Sequence, residues 1–128
     1  MVPIDEFYSL TLEADRALMS DTTRGDPELE PFCLRIVALT ENYPELRSEF
    51  VQGFKTVVNN ADRGAWEIIL LCMHILRWPE IREWAEASHV KCIQANDWRG
   101  EPVFRRIMDA YKDNWDEDGI YQCLRKQA

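Results

Sequence analysis

Residues that could support catalysis are few, because the chain has only two histidines and four cysteines. His74 lies in the most apolar segment of the sequence, and His89 lies near the end of an amphipathic one. A cysteine and a histidine far apart in sequence can still form a catalytic dyad in space, but nothing near His74 favours an activated thiolate. We therefore expect His74 to be a hydrogen-bonded core residue and the protein not to be an enzyme. A small enzyme with a cysteine or carboxylate site is a competing hypothesis.

The four cysteines are too widely spaced for the usual metal or redox motifs. The intervals between them are 39, 20 and 31 residues, so the chain has no CxxC pair of the kind found in zinc ribbons and thioredoxin-type sites. The sequence also has no HExxH, P-loop, GxSxG or GxGxxG motif. We expect no metal site and no cofactor, and we expect reduced cysteines that are mostly buried as small apolar residues. The cysteines are Cys33, Cys72, Cys92 and Cys123.

The charge of the chain is strongly negative and unevenly distributed. The sequence has 15 Lys and Arg residues against 23 Asp and Glu residues, a formal net charge of −8. Residues 1–62 have a net charge of −7, and residues 63–128 have a net charge of −1. This balance opposes binding to nucleic acid backbones and to anionic membrane surfaces. It favours a basic protein as the partner.

The sequence shows no targeting or membrane segment. The N-terminal residues have no basic start and no apolar stretch, so we expect no secretory signal. The longest uninterrupted apolar run, 68–73, has six residues, whereas a membrane-spanning helix needs about 20. We therefore expect a cytoplasmic protein.

The elements that must position any functional residue are helices. Apolar residues recur at three- and four-residue intervals, the period of a helix face, and no stretch has the two-residue alternation of a half-buried strand. A helix over 66–78 is apolar nearly all round and belongs in the middle of the core, and a last short helix is predicted over 120–124. Gly53 falls inside a predicted helix, where a close approach of another helix could explain it. The pattern predicts one all-α domain over 1–128, with six or seven helices in a compact bundle or a short HEAT-like α-solenoid.

Two pentapeptides of the chain match position by position. Residues 43–47 read Tyr-Pro-Glu-Leu-Arg and residues 78–82 read Trp-Pro-Glu-Ile-Arg, an offset of 35 residues. Each follows an apolar helix, so the aromatic residue is expected to end that helix against the core, and the proline suits the first position of the next helix. The self-similarity predicts internal repeat units at approximately 29–59 and 64–95. Coincidence between two ordinary helix starts is the alternative.

A resemblance to known proteins lies within the second unit. Residues 79–87, Pro-Glu-Ile-Arg-Glu-Trp-Ala-Glu-Ala, resemble the start of the second helix of a HEAT-like repeat. The longer stretch over 64–87 resembles small bacterial immunity proteins of contact-dependent growth inhibition and related polymorphic toxin systems. The resemblance implies a cytoplasmic helical protein that binds and neutralises a toxin, often a nuclease.

The candidate binding residues combine acidic side chains with aromatic ones. Exposed aromatics and complementary charge are typical of partner surfaces, and an acidic surface can occupy the basic cleft of a nuclease. We therefore predict an immunity protein, favoured as a monomer, that covers the active site of a cognate basic toxin domain. A HEAT-like adaptor with a non-toxin partner is the alternative. The candidate partner-binding residues are Glu45, Glu49, Asp62, Glu80, Glu83, Asp97, Trp98, Trp115, Asp116, Glu117 and Asp118.

Overall fold

The computed structural model of the protein describes residues 2–20, 30–60, 63–113 and 115. These residues form six α-helices and no strand, which confirms the predicted all-α class. A short 3-10 turn, Pro44–Leu46, precedes the third helix. The short helix predicted over 120–124 lies outside the described residues. The helices are α1 (Pro3–Ser20), α2 (Glu30–Asn42), α3 (Arg47–Asn60), α4 (Arg63–Leu76), α5 (Pro79–Gln94) and α6 (Gly100–Asp109).

Helix α4 is the centre of the bundle. Each side chain of its segment Ile68–Met73 is at most 1% exposed. Helices α1, α2, α3 and α6 all pack against it. A helix that is apolar all round can be accommodated only where neighbours cover every side, so this arrangement confirms the central position that its sequence predicts.

Helix α1 packs on α2, α3 and α4 at once. Its apolar face buries Phe7, Leu10 and Ala14. A Cβ atom added at Gly53 of α3 would lie 2.9 Å from Cε1 of Phe7 and 3.2 Å from Cδ1 of Ile4. The expected close approach at Gly53 is therefore confirmed, and the helix that approaches is α1.

The chain reverses between α4 and α5 through a left-handed residue. Arg77 has φ 54°, and its N–H donates to the carbonyl oxygen of Met73 at 2.8 Å. Trp78 then has extended dihedral angles, and Pro79 begins α5. Because proline needs no hydrogen bond at the first helical position, the new helix starts immediately after the turn.

The packing of the helices is that of a compact bundle. The two predicted repeat units, 29–59 and 64–95, each contain two helices, α2 with α3 and α4 with α5. Helix α2 contacts α4 and α3 contacts α5, while α1 lies across α2, α3 and α4. The repeat itself stays a prediction.

Within the described ranges, no helix is long and apolar enough to cross a lipid bilayer.

Candidate functional site

The turn between α2 and α3, residues 43–47, presents its aromatic residue to solvent. Tyr43 is 39% exposed, so the prediction that this residue ends α2 against the core is wrong. Its ring lines a cleft between α1 and α2 instead. Helix α2 already ends at Asn42, and the 3-10 turn that follows carries the chain along the edge of the bundle rather than into it. The lining of the cleft consists of Glu6, Arg35, Ala38, Leu39, Asn42 and Tyr43.

Three exposed carboxylates lie near this exposed tyrosine in the chain. Glu41 lies in the last turn of α2, Glu45 lies in the 3-10 turn, and Glu49 lies in the first turn of α3. All three are exposed, and among the described residues none of them forms an ion pair. Glu45 and Glu49 thus have the outward placement that the sequence predicts. We call the set Glu41, Tyr43, Glu45 and Glu49 the junction surface.

The arginine of the same turn does not neutralise the junction surface. The Nε and Nη2 atoms of Arg47 donate to the two carboxylate oxygens of Glu80 at 2.7 and 2.8 Å. The guanidinium also lies 4.5 Å from the centre of the Trp78 ring. These contacts direct the cation towards the start of α5, and the acids beside Tyr43 keep their net negative charge.

In the matching turn between α4 and α5, residues 78–82, the aromatic residue and the glutamate both contact other parts of the protein. Trp78 is only 7% exposed, and its ring meets Phe54 edge to face at 5.6 Å. The hydrogen bond from Arg47 lowers the pKa of Glu80 from its usual value. The predicted binding residue Glu80 is thus paired with Arg47 within the protein. Glu83 is exposed, as predicted for a residue on the outer face of α5.

The loop between α5 and α6 contains two further candidates with different environments. Oδ1 of Asp97 accepts hydrogen bonds from the backbone N–H groups of Gly100 at 3.0 Å and Arg99 at 3.2 Å. These bonds, the one from Gly100 first, lower the pKa of the Asp97 carboxyl. Asp97 therefore orders the loop that leads into α6, whereas Trp98 is 71% exposed.

His89 and Cys92, both in α5, each contact an acidic residue near this loop. Nε2 of His89 lies 2.6 Å from Oε2 of Glu101, and Arg105 donates to the same oxygen at 3.0 Å. Burial, and then the negative charge of Asp97, raise the pKa of the nearby Cys92 thiol. A thiol held in its protonated form is the wrong state for a nucleophile.

His74 connects α4 with the end of α6. Its Nδ1 lies 2.6 Å from the carbonyl oxygen of Ala110 and therefore carries the proton that it donates. The imidazole also packs on the ring of Trp115, with 5.0 Å between the ring centres. The expected hydrogen bond of His74 is confirmed, whereas the residue is half-buried rather than inside the core. Trp115 was expected on an exposed loop, but it is half-buried against the core because this histidine and its neighbours cover one side of the ring.

Two cysteines are adjacent inside the core. The Sγ atoms of Cys33 in α2 and Cys72 in α4 are 3.5 Å apart, and both residues are fully buried. Their mutual hydrogen bond and then burial raise the pKa of the Cys33 thiol. Both cysteines are free, as expected for small apolar residues of the core. In the described part of the chain, no three His, Cys, Asp or Glu side chains are arranged to hold a metal ion.

Four predicted binding residues lie outside the described residues, namely Asp62, Asp116, Glu117 and Asp118. Sequence reasoning missed Glu41 and Tyr43 as surface residues. A signal was present, because Glu41, Glu45 and Glu49 recur every four residues around a proline turn. The cleft beside Tyr43 had no such signal, since one of its walls comes from α1.

The chain was compared with protein families, curated proteins and solved structures. No family model, curated protein or solved structure matches it.

Proposed function

We propose that this protein is a toxin-neutralising immunity protein, which binds a cognate basic toxin domain through the junction surface. The observation that carries the proposal is that three exposed carboxylates lie within six residues of an exposed tyrosine in the chain, with no ion pair to them among the described residues. A nuclease domain has a basic cleft for phosphate groups. An acidic surface that covers this cleft would block substrate binding and would associate rapidly.

The junction surface is suited to binding because its backbone is already ordered. The N–H of Leu46 donates to the carbonyl oxygen of Tyr43 at 3.0 Å, which closes the 3-10 turn. Arg47, the next residue, is fixed by Glu80. A preformed surface loses little conformational entropy on binding, and an exposed tyrosine offers a large contact area with few rotatable bonds.

Two features of the sequence support the same proposal. Residues 1–62, which contain the junction surface, have a net charge of −7. Residues 64–87 resemble the immunity proteins of contact-dependent growth inhibition systems. In this proposal the protein acts in the cytoplasm by binding and not by catalysis. The contact of His89 with Glu101 and the raised pKa of the Cys92 thiol are consistent with that mode of action.

The test is binding to the toxin domain encoded immediately upstream, measured by isothermal titration calorimetry. We expect a submicromolar complex that weakens as salt rises, because exposed charges are screened. The substitution Glu45→Lys should weaken binding by roughly 10- to 100-fold, the effect of placing like charges in contact. Glu13→Lys makes the same charge change on an exposed position of α1 and is the matched control. The absence of a complex, or equal effects of the two substitutions, would contradict the proposal.

One observation favours a second candidate, an adaptor that binds a non-toxin partner. Three apolar side chains are exposed near the end of α5, with exposed fractions of 52% for Val90, 51% for Ile93 and 71% for Trp98. Val90 and Ile93 are three residues apart on α5 and therefore share a face, and contiguous exposed apolar surface is typical of protein interfaces. In the adaptor, Trp98→Ala would abolish partner binding and Glu45→Lys would not, the reverse of the order expected for the immunity protein.

A further inference from the structure

We propose that the cleft between α1 and α2 is a receptor for one arginine side chain of a basic partner protein. In this arrangement the Glu6 carboxylate pairs with the guanidinium, and the ring of Tyr43 stacks on it. The inference deepens the proposed function and rests on it for the identity of the partner. The chemistry of the cleft can be tested without that partner.

The cleft has the dimensions of a side-chain site. Its volume is about 280 Å³, slightly below the range of roughly 300–1,000 Å³ for pockets that hold drug-sized molecules. Ala38 and Leu39 of α2 supply its apolar lining, and Glu6 of α1 stands on the other side. The cleft can therefore take the methylene groups of one long side chain along apolar surface while the charged end meets polar groups.

Glu6 is the residue that gives the cleft a preference for cations. Its side chain is half-buried in the first turn of α1. Among the described residues, no cation pairs with it and no donor bonds to it, although Arg35 lines the same cleft. A partly buried carboxylate without a donor gains more from a new charge-assisted hydrogen bond than a fully solvated one does.

The neighbouring groups favour a guanidinium over an ammonium. Tyr43 is 39% exposed and lines the cleft, and a planar guanidinium stacks well on a tyrosine ring. The side-chain carbonyl of Asn42 is a second acceptor, and the five N–H donors of arginine can satisfy a carboxylate and an amide oxygen together. Lysine has a compact, strongly hydrated charge and gains less from such a site.

Arg35 limits the cleft to one bound cation and determines at which end of the cleft that cation lies. It precedes Asn42 by seven residues on α2, which corresponds to about 10 Å along the helix axis. A bound guanidinium would therefore lie at the Asn42 end, away from the positive charge of Arg35. The same arginine remains available for a carboxylate next to the bound arginine in the partner.

The experiment is a titration of the ¹⁵N-labelled protein with the peptide N-acetyl-Gly-Arg-Gly-amide, followed by chemical shifts. We expect saturable shifts, with a millimolar dissociation constant, confined to the amides of residues 4–8 and 35–45. The same peptide with citrulline, which has the shape of arginine without its charge, should not bind. Glu6→Gln should weaken arginine binding at least tenfold, and Tyr43→Ala should weaken it several-fold. Thermal melting of each variant establishes that it is folded.

Matched variants distinguish specific binding in the cleft from general attraction between opposite charges. Glu13→Gln removes the same charge from an exposed position of α1 and should leave binding unchanged, and Arg35→Gln should tighten it. Equal losses for Glu6→Gln and Glu13→Gln would overturn the inference, as would binding of the citrulline peptide. Equal affinity for a lysine peptide would overturn the assignment of a guanidinium site.

Failure of this inference can be distinguished from failure of the proposed function. If the toxin domain binds and Glu45→Lys weakens it, but Glu6→Gln weakens neither the toxin complex nor the peptide complex, the cleft assignment is wrong and the function stands. If the arginine peptide binds and no toxin complex forms, the proposed function is wrong and the arginine site stands.

Discussion

The two turns that share the aromatic-Pro-Glu-aliphatic-Arg pattern have opposite environments. In the turn over 78–82 the aromatic residue is buried, and the glutamate is held by an arginine from the other turn. In the turn over 43–47 the aromatic residue is exposed, and the glutamate has no ion pair among the described residues. The same local sequence therefore stabilises the fold in one place and forms a surface in the other.

The difference comes from what lies next to each turn. Trp78 enters a space bounded by Phe54, and its carbonyl oxygen accepts a hydrogen bond from the hydroxyl of Tyr111 at 2.7 Å. Tyr43 is 39% exposed and lines the cleft between α1 and α2. A helix start is a local structure, but burial of its aromatic residue depends on elements that are distant in the sequence.

The largest expected difference between the turns is in the free energy of unfolding. Trp78→Ala should reduce it by about 3–5 kcal/mol, because it leaves a large cavity and removes the contacts with Phe54 and Arg47. Tyr43→Ala should reduce it by less than about 1 kcal/mol, since the ring is on the surface. Urea denaturation followed by circular dichroism measures both. Similar losses would mean that the two turns are equally embedded in the core.

A smaller effect is expected where α1 rests on α3. Gly53→Val should cost about 2 kcal/mol, because the added carbons overlap the ring of Phe7, which is itself fixed between Phe50 and Phe54. Ser88 occupies the corresponding place in α5, 35 residues later, and is only half-buried. Ser88→Val should cost clearly less in the same denaturation assay. If Gly53→Val were neutral, α1 would not be held closely against α3.

The contact between Arg47 and Glu80, which connects the two turns, should contribute modestly to the free energy of unfolding. Arg47→Ala removes a half-exposed ion pair and a cation–π contact and should cost about 1 kcal/mol. Arg82, at the matching position, pairs with Glu86 one helical turn away at 3.1 Å, and Arg82→Ala should cost about 0.3–0.5 kcal/mol. A double-mutant cycle of Arg47→Ala with Glu80→Gln measures the coupling. A coupling near zero would show that the two turns are independent.

The smallest effect is a change in titration. Arg47 lowers the pKa of Glu80 from its ordinary value of 4.5, mainly through the hydrogen bond. A lowered carboxyl pKa stabilises the fold above the ordinary value, and this stabilisation is lost as the pH falls through the folded-state pKa. Carbon-detected NMR titration should therefore give Glu80 a pKa below 4.5 in the parent protein and a higher one in Arg47→Ala. An unchanged pKa would contradict the contact.

Much of the fold followed from the sequence. The apolar segment over 68–73 required a central helix, because water could be excluded from all its sides only there. The prolines marked both turns, and Pro79 begins α5 as predicted, since this preference acts within a few residues. Gly53 marked a close helix contact because only glycine leaves room for it.

The candidate site was only partly predictable. The outward placement of Glu45, Glu49, Glu83 and Trp98 followed from helical spacing and turn residues. The hydrogen bonds that Asp97 accepts from its own loop and the burial of one side of Trp115 did not, because both depend on groups that the turn or the tertiary structure brings within reach.

The sequence by itself determined the helices, their apolar faces and an acidic first half, because these depend on residue type and local spacing. The tertiary structure decided which of the two similar turns became a surface. Arg47 and Glu80 are 33 residues apart in the chain and meet only in the fold. Their contact neutralises one surface acid and leaves the acids near Tyr43 without that cation. The cleft beside Tyr43 likewise exists only because α1 closes one side of it.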